Sequence, residues 1–293
     1  MILSAGEALV DVLPDGRAVP GGGPMNAAIA VARLGAPGGF LGRVSTDAHG
    51  DAIWAHLEAS GVDLRFAQRG PEPTAQAIVT TVPVQSFEFV GEGTADACLE
   101  PLDVEAINST ATILHGGTLG IFRGTTAHEY QRVLASFDGI VSFDPNVRPQ
   151  IMGDDADAWW RFANAWLDRA DLVRGSDEDF DWMATTPTEV LERGASVVIR
   201  TVGPEGVAVH LASGEIVDVP AKRVDVVDTV GAGDSFCGAV LTQLYERNAP
   251  ERGLDAVTVD EWREIAAFGV AVAAITVSRA GANPPWRREL ALS

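Results

Sequence analysis

The stretch from Val226 to Leu241, V-V-D-T-V-G-A-G-D-S-F-C-G-A-V-L, concentrates residues that could do chemistry. A short apolar run ends at Asp228. The small-residue turn Gly231-Ala232-Gly233 follows, then Asp234. A helical pattern comes next, with Phe236, Val240 and Leu244 four apart and Cys237 and Leu241 beside them. The two glycines let backbone amides approach a ligand. The first amides of a helix lack internal partners and carry the positive end of its dipole. The turn therefore predicts an anion pocket, with phosphate as the usual guest. A carboxylate at its mouth would repel phosphate if binding were the only task. Asp234 makes sense there as a base for a hydroxyl that attacks the phosphate. A plain helix start with Asp as its cap is the simpler alternative. Two other phosphate motifs fail. G-x-G-x-x-G has Phe236 where the third glycine belongs, and the stretch lies late in the chain. A Walker A loop needs a lysine after glycine, and Lys222, the sole lysine, stands elsewhere.

A second glycine-rich stretch, Gly21-Gly22-Gly23-Pro24-Met25-Asn26, leads into an Ala-rich helix from Ala27 to Leu34 that Gly35 ends. Gly22 and Gly23 bring backbone close to something. Asn26 offers donor and acceptor together, which suits a polyol. It could equally be a helix-start residue behind a simple turn.

D-T-V-G-A-G-D-S-F resembles the signature of the ribokinase family of carbohydrate kinases, also called the PfkB family. The Gly21–Gly35 stretch resembles its first signature, G-G-x-x-x-N-x-A-x-x-x-x-x-L-G, and the similarity runs over essentially all 293 residues. The fructokinases are the nearest subgroup. The resemblance implies roles residue by residue. Asp11, in G-E-x-L-x-D, would bind sugar hydroxyls, as would Gly22, Gly23 and Asn26. The D-P-N-x-R-P stretch, Asp144 to Pro149, is similar to fructokinases and 2-keto-3-deoxygluconate kinases. There Asn146 and Arg148 would contact phosphates or a sugar acid, unless Asp144-Pro145 is just a turn and Arg148 a surface charge. Ser176-Asp177-Glu178-Asp179 stands where the family has N-x-x-E, which orders the water shell of magnesium and phosphate. Ser176 replaces Asn and Asp179 replaces Glu, so Asp179 would serve Mg²⁺ through water; an acidic helix start is the alternative. Thr201, Gly203 and Gly206 match T-x-G-x-x-G, which lines ATP together with Asn146, Ser176, Gly231 and Gly233. Asp228, Val230, Thr276, Arg279 and Gly281 would hold K⁺, partly through backbone carbonyls. Asp234 would be the base, and Gly231, Ala232 and Gly233 the anion hole.

The surrounding elements must position these groups. Apolar runs read as strands at Ile2 to Val10 (broken by Gly6-Glu7), Gly39 to Val44, Thr112 to His115, Ile140 to Phe143, Asp171 to Val173 and Val197 to Arg200. Helical patterns alternate with them at Asp47 to Ala59, Asp103 to Asn108, Thr126 to Ser136, Asp155 to Leu167 and Trp262 to Val277, the last behind a Thr258/Glu261 capping box. Val207 to Leu211 and Ile216 to Val219 form a hairpin. Alternation of this kind predicts an α/β fold: a mainly parallel central sheet with helices on both faces. Val62 to Phe66, Gln76 to Val82 and Phe87 to Val90 are β-rich, with a short connection near Pro83. By resemblance they form, with about residues 8–20, a small β lid built from about 8–20 and 62–95. Nothing splits the chain, so residues 1–293 read as a single ribokinase-like domain.

Composition bounds the function. The net charge of -20 excludes nucleic acid and an anionic membrane surface as partners. The two cysteines, Cys98 and Cys237, have no metal-like spacing and predict free thiols in a reducing compartment. No basic residue precedes the first apolar run, so no signal peptide is expected, and a cytoplasmic enzyme is. The expected reaction is transfer of the γ-phosphoryl of ATP to a sugar hydroxyl, with fructose giving fructose 6-phosphate, and with Mg²⁺ and K⁺ as cofactors. A 2-keto-3-deoxygluconate kinase, with Arg148 meeting the substrate carboxylate, and a nucleoside kinase are the alternatives within enzymes. A non-catalytic sugar or nucleotide sensor is the alternative of another class. A homodimer through the lid is implied by the resemblance alone.

Overall fold

The computed structural model describes residues 1–80, 86–152 and 156–292. In chain order its strands are β1 (Ile2–Ala5), β2 (Leu9–Val12), β3 (Ala18–Gly21), β4 (Gly38–Leu41), β5 (Arg43–Ser45), β6 (Gln68–Gly70), β7 (Gln76–Thr80), β8 (Ser86–Val90), β9 (Ile113–Gly117), β10 (Ile140–Asp144), β11 (Leu172–Ser176), β12 (Val197–Thr201), β13 (Gly206–Leu211) and β14 (Ile216–Pro220). Eight of them form one sheet in the order β14-β13-β12-β11-β10-β9-β1-β4. From β4 to β12 all pairings are parallel; β13 and β14 add an antiparallel edge.

Strand residues alternate between two cores, as a period of two requires. Leu3, Leu114, Val141, Phe143, Val173 and Val198 face one layer with Ile107, Tyr130, Trp159 and Trp166. Ile2, Ile113, Ile140, Leu172, Val197 and Ile199 face the other with Phe236, Val240, Leu244, Trp262 and Ile265. Strands β1, β4, β9 and β10 are buried along their whole length, the signature of a parallel sheet covered on both faces.

The helix Gly23–Arg33 packs on the helix Ala232–Glu246 in this second layer. The approach is close: a Cβ on Gly238 would stand 2.6 Å from Ala30 Cβ and 2.8 Å from the Ala27 carbonyl oxygen. Gly238→Val should force the helices apart and destabilise the fold by ~1–3 kcal/mol, the usual cost of overpacking. Urea unfolding measures it, and an unchanged midpoint would mean the contact yields freely.

The small sheet has the order β3-β2-β7-β8 and is mixed: β2 pairs parallel with β7, and the other pairs are antiparallel. The break at Gly6-Glu7 is where the chain leaves the large sheet for the small one. Residues 62–75, assigned above to the lid region, lie outside this sheet. Val62 and Leu64 pack with Phe40, Ile53 and Leu57 instead, and Asp63 makes a single bridge to Gly39. Strand β6 pairs with β5. A β-rich composition announces strands but not their partners. Pro83 and Asp155 fall outside the described residues. Among the described residues no helix is long and apolar enough to cross a membrane.

Candidate active site

Parallel strands put their carboxyl ends on one edge, and the candidate residues gather there. Gly231 begins the Ala232–Glu246 helix in the left-handed region, φ 75°, where a Cβ would strike Ala282. Among the described residues no side chain caps this helix; within the turn the Ala232 amide donates to the Thr229 carbonyl at 3.3 Å. Asp234 lies in the first turn but does not cap it. Its Oδ2 accepts Asn26 Nδ2 at 2.8 Å. Burial raises the Asp234 pKa, and the Asn26 hydrogen bond, Arg148 and Arg174 act against the rise. Since Asn26 must turn its NH₂ towards a carboxylate, its Oδ1 is left buried and, among the described residues, without a partner.

Gly23 closes the same space. A Cβ there would meet Thr118 Oγ1 at 2.8 Å, Asn146 Nδ2 at 3.1 Å and Asp234 Oδ1 at 3.4 Å. Asn146 Nδ2 donates to Thr118 Oγ1 at 3.2 Å. Both residues are non-glycine at positive φ, 56° for Thr118 and 37° for Asn146, a strain that concentrates at functional sites. Asp11, on β2, and Arg148, at the open mouth, complete the ring. Burial and the nearby Asp234 push the Asp11 carboxyl up to about 6, against the pull of Arg148. Accepting two hydroxyls of a diol, the role the resemblance implies for Asp11, needs the ionised carboxylate. The KM for sugar should therefore rise as pH falls through about 6. In Asp11→Asn the part of that dependence centred near 6 should vanish; an identical step there in the variant would rule Asp11 out as its source.

The other half of the cleft is built on β11 and β12. Arg174, 8% exposed, donates from NH1 to Asp144 Oδ2 at 3.0 Å and from NH2 to Thr201 Oγ1 at 2.8 Å. A Cβ on Gly233 would stand 2.7 Å from both terminal nitrogens of Arg174. The guanidinium thus lies directly under the glycine turn, where sequence reading placed no side chain. Segment 221–230 runs from the Gly203–Gly206 loop, where Ala221 bonds the Glu205 carbonyl, to the end of the last helix, where Val227 and Asp228 bond the Val277 carbonyl. It leaves Val226 and Val227 over 60% exposed, at 62% and 63%.

The profile described as pfkB family carbohydrate kinase matches residues 6–288. The chain belongs to the pfkB family of carbohydrate kinases. It is 33% identical over 265 residues to a fructokinase of Rhizobium leguminosarum bv. trifolii, covering 85% of this chain and 81% of that one. A fructokinase of Xylella fastidiosa with bound ATP superposes with a TM-score of 0.84 at 27% identity, covering 99% of this chain and 98% of the other. A fructokinase of Vibrio cholerae O395 holding fructose, ADP and potassium gives 0.81 at 26% identity, with 96% and 93% covered. The protein is an ATP-dependent carbohydrate kinase with a ribokinase-like fold.

In this kinase the Ser176–Asp179 stretch is a reciprocal capping box. Asp179 Oδ2 accepts the Ser176 amide at 2.7 Å and its hydroxyl at 2.6 Å, while Oδ1 accepts the Val147 amide at 2.7 Å. At 4% exposure, both oxygens are engaged inside the protein. Asp179 is one carbon shorter than Glu, and here it clamps the loop that carries Asn146 and Arg148. Among the described residues no group of three His, Cys, Asp or Glu is placed to hold a metal. The last loop meets the turn from the other side. Asp228 Oδ1 accepts the Val230 amide at 3.0 Å and Oδ2 the Gly281 amide at 2.8 Å. Thr276 Oγ1 is buried and bonded to the Val272 carbonyl, and Arg279 pairs with Glu289 at 2.6 Å, so what these two residues can offer a cation is backbone oxygen.

Proposed function

We propose that this kinase transfers the γ-phosphoryl of ATP to a ketohexose, with fructose as substrate and fructose 6-phosphate as product. The observation that carries the reading is Asp234, held by Asn26 at 2.8 Å in the first turn of a helix that begins at the glycine turn with no side-chain cap among the described residues. The names of the fructokinase relatives support the choice of sugar. Asn26 Oδ1, Asp11 and the Gly22-Gly23 backbone are the polar partners a polyol would meet. Asp234 takes the proton of the primary hydroxyl as its oxygen bonds to the γ-phosphorus. The bond from that phosphorus to the bridging oxygen breaks, and ADP keeps the electron pair. The amides of Gly231, Ala232 and Gly233 receive the negative charge, the Ala232 amide exchanging its long 3.3 Å bond to the Thr229 carbonyl for the phosphoryl oxygen. Asn146, Ser176, Thr201, Gly203 and Gly206 line the phosphate side. The exposed Val226 and Val227 beside an anion pocket suit the flat apolar faces of a purine.

Mg²⁺ arriving on the phosphates of ATP would neutralise their charge. Asp228 and the carbonyls of Val230, Thr276, Arg279 and Gly281 form a hard-oxygen set suited to K⁺, which would add positive charge behind the turn. The small sheet carries Asp11 on β2 and ends at Gly21, next to the Gly22-Gly23 turn, so its closure would exclude water from the sugar. A cytoplasmic enzyme that pairs through this sheet completes the proposal, and sedimentation tests the pairing.

An ATP-consumption assay with fructose, 2-keto-3-deoxygluconate, ribose, tagatose and adenosine tests the reading. A fructose response lost in Asp234→Asn supports it. Response only to the keto-acid, lost in Arg148→Ala, transfers the substrate to the sugar acid. A folded protein that binds but never phosphorylates overturns the catalytic reading in favour of a sensor.

A further inference from the structure

Glu7 sits in the break between β1 and β2, is 1% exposed, and has no part in the chemistry above. A buried carboxylate is costly unless its charge or its lone pairs are satisfied. Among the described residues no cation pairs with Glu7. Backbone amides serve instead: Oε1 accepts the Gly23 amide and Oε2 the Gly120 amide, both at 3.1 Å.

These two amides belong to opposite walls of the cleft. Gly23 faces Thr118, Asn146 and Asp234, and Gly120 lies two residues after the strained Thr118. Both walls close on the Gly6-Glu7 backbone. A Cβ on Gly22 (φ 121°) would stand 2.5 Å from the Glu7 carbonyl oxygen, and one on Gly120 would stand 2.8 Å from Gly6 Cα. From beneath, the Tyr130 hydroxyl donates to the carbonyls of Gly6 at 3.2 Å and Leu41 at 2.8 Å.

We infer that Glu7 is the positioning residue of the sugar cradle: one carboxylate fixes the Gly22-Gly23 wall against the Thr118–Gly120 wall, so that Asn26, Thr118 and Asn146 stand in register around Asp234. The clamp is a property of the unliganded chain; only the identity of what it cradles rests on the proposed function. Two acceptors are required because both partners donate. Glutamine supplies one acceptor and turns an NH₂ towards the other amide. Protonation has the same consequence. Burial, aided by the nearby Asp96 and opposed by the amide hydrogen bonds, pushes Glu7 up to about 7. The groups facing it are Asp96, itself paired with Arg123, and the Tyr130 hydroxyl, whose own pKa Glu7 helps to raise.

Amide exchange followed by NMR, without ligand, tests the clamp in wild type and Glu7→Gln. The expected result is faster exchange at Gly23, Gly120 or both, on the order of ten-fold for one lost hydrogen bond, with the sheet core unchanged. The KM for sugar should rise by a similar factor while the KM for ATP holds, a split that a general loss of stability would not produce. Unchanged exchange at both glycines, or parallel rises in both KM values, overturns the inference. If Glu7→Gln does not fold, the wild type decides: protection at Gly23 and Gly120 should fall as pH drops through about 7, and flat protection overturns the clamp. Failure of the kinase reading looks different, because it shows in the sugar assay while the exchange result stands.

Discussion

Asp234→Asn should fold, bind ATP with an unchanged KM, and turn over sugar about 10²–10⁴-fold more slowly, the range a general base contributes. The fold should survive because asparagine keeps the shape and one acceptor, which is all that the Asn26 Nδ2 donor requires. The direction of the stability change also follows. Burial raises the Asp234 pKa in the folded state, so the native protein holds this proton more tightly than the unfolded chain. The stability Asp234 contributes is present below its unfolded pKa and is lost as pH rises through the folded value. The variant lacks that loss, so above neutral pH it should be at least as stable as wild type. Steady-state kinetics and thermal unfolding at two pH values measure both effects. Turnover within ten-fold of wild type would remove Asp234 from the mechanism, and a destabilised variant would mean that the carboxylate holds the two helices together.

What could be read from the chain alone follows from the range of each interaction. The glycine turn and Asp234 are local, four consecutive residues that carry their own meaning. The large sheet was legible because its strands are apolar along their length and alternate with helical periods. The small sheet was legible only in part. Val62–Phe66 has strand composition, yet its backbone lies beside β4 and its side chains pack with Phe40 and Ile53. Ser176–Asp179 could be placed by resemblance, but the reach of a shorter acid to the Val147 amide is a tertiary fact. The same holds for Glu7, which in sequence is merely a break in an apolar run, and for Arg174, a charge inside a short strand. Neither has a neighbour in sequence that reveals its partner: Glu7 meets Gly23 and Gly120, and Arg174 meets Asp144, Thr201 and Gly233. A charged residue in an apolar strand was the one signal available, since such a residue must find a buried partner.

Arg174→Met should cost both stability and turnover, and the two losses should separate. The guanidinium is buried and pairs with Asp144, whose Oδ1 has no partner of its own among the described residues. Its removal leaves a buried anion uncompensated, which costs ~3–5 kcal/mol. The same guanidinium lies under Gly233, close enough that a Cβ there would collide with it. In the proposed mechanism a fixed positive charge behind the amides of Gly231–Gly233 would raise the potential where the transferred phosphoryl carries its negative charge, in a site of low dielectric. Losing it should lower kcat by ~100-fold, comparable to losing one preorganised donor. Adding Asp144→Asn separates the roles. Burial has already pushed Asp144 up to about 6, so its neutral form is within reach of the fold. In Arg174→Met/Asp144→Asn the stranded charge is gone, and the urea midpoint should recover most of its loss. Turnover should not recover, because the positive charge under the turn is still missing. Recovery of kcat together with stability would reduce Arg174 to a partner for Asp144. Persistence of the kinetic defect in a stable double variant would make the anion pocket a device of two layers, oriented amides in contact with the phosphate and a buried guanidinium that sets their potential from below.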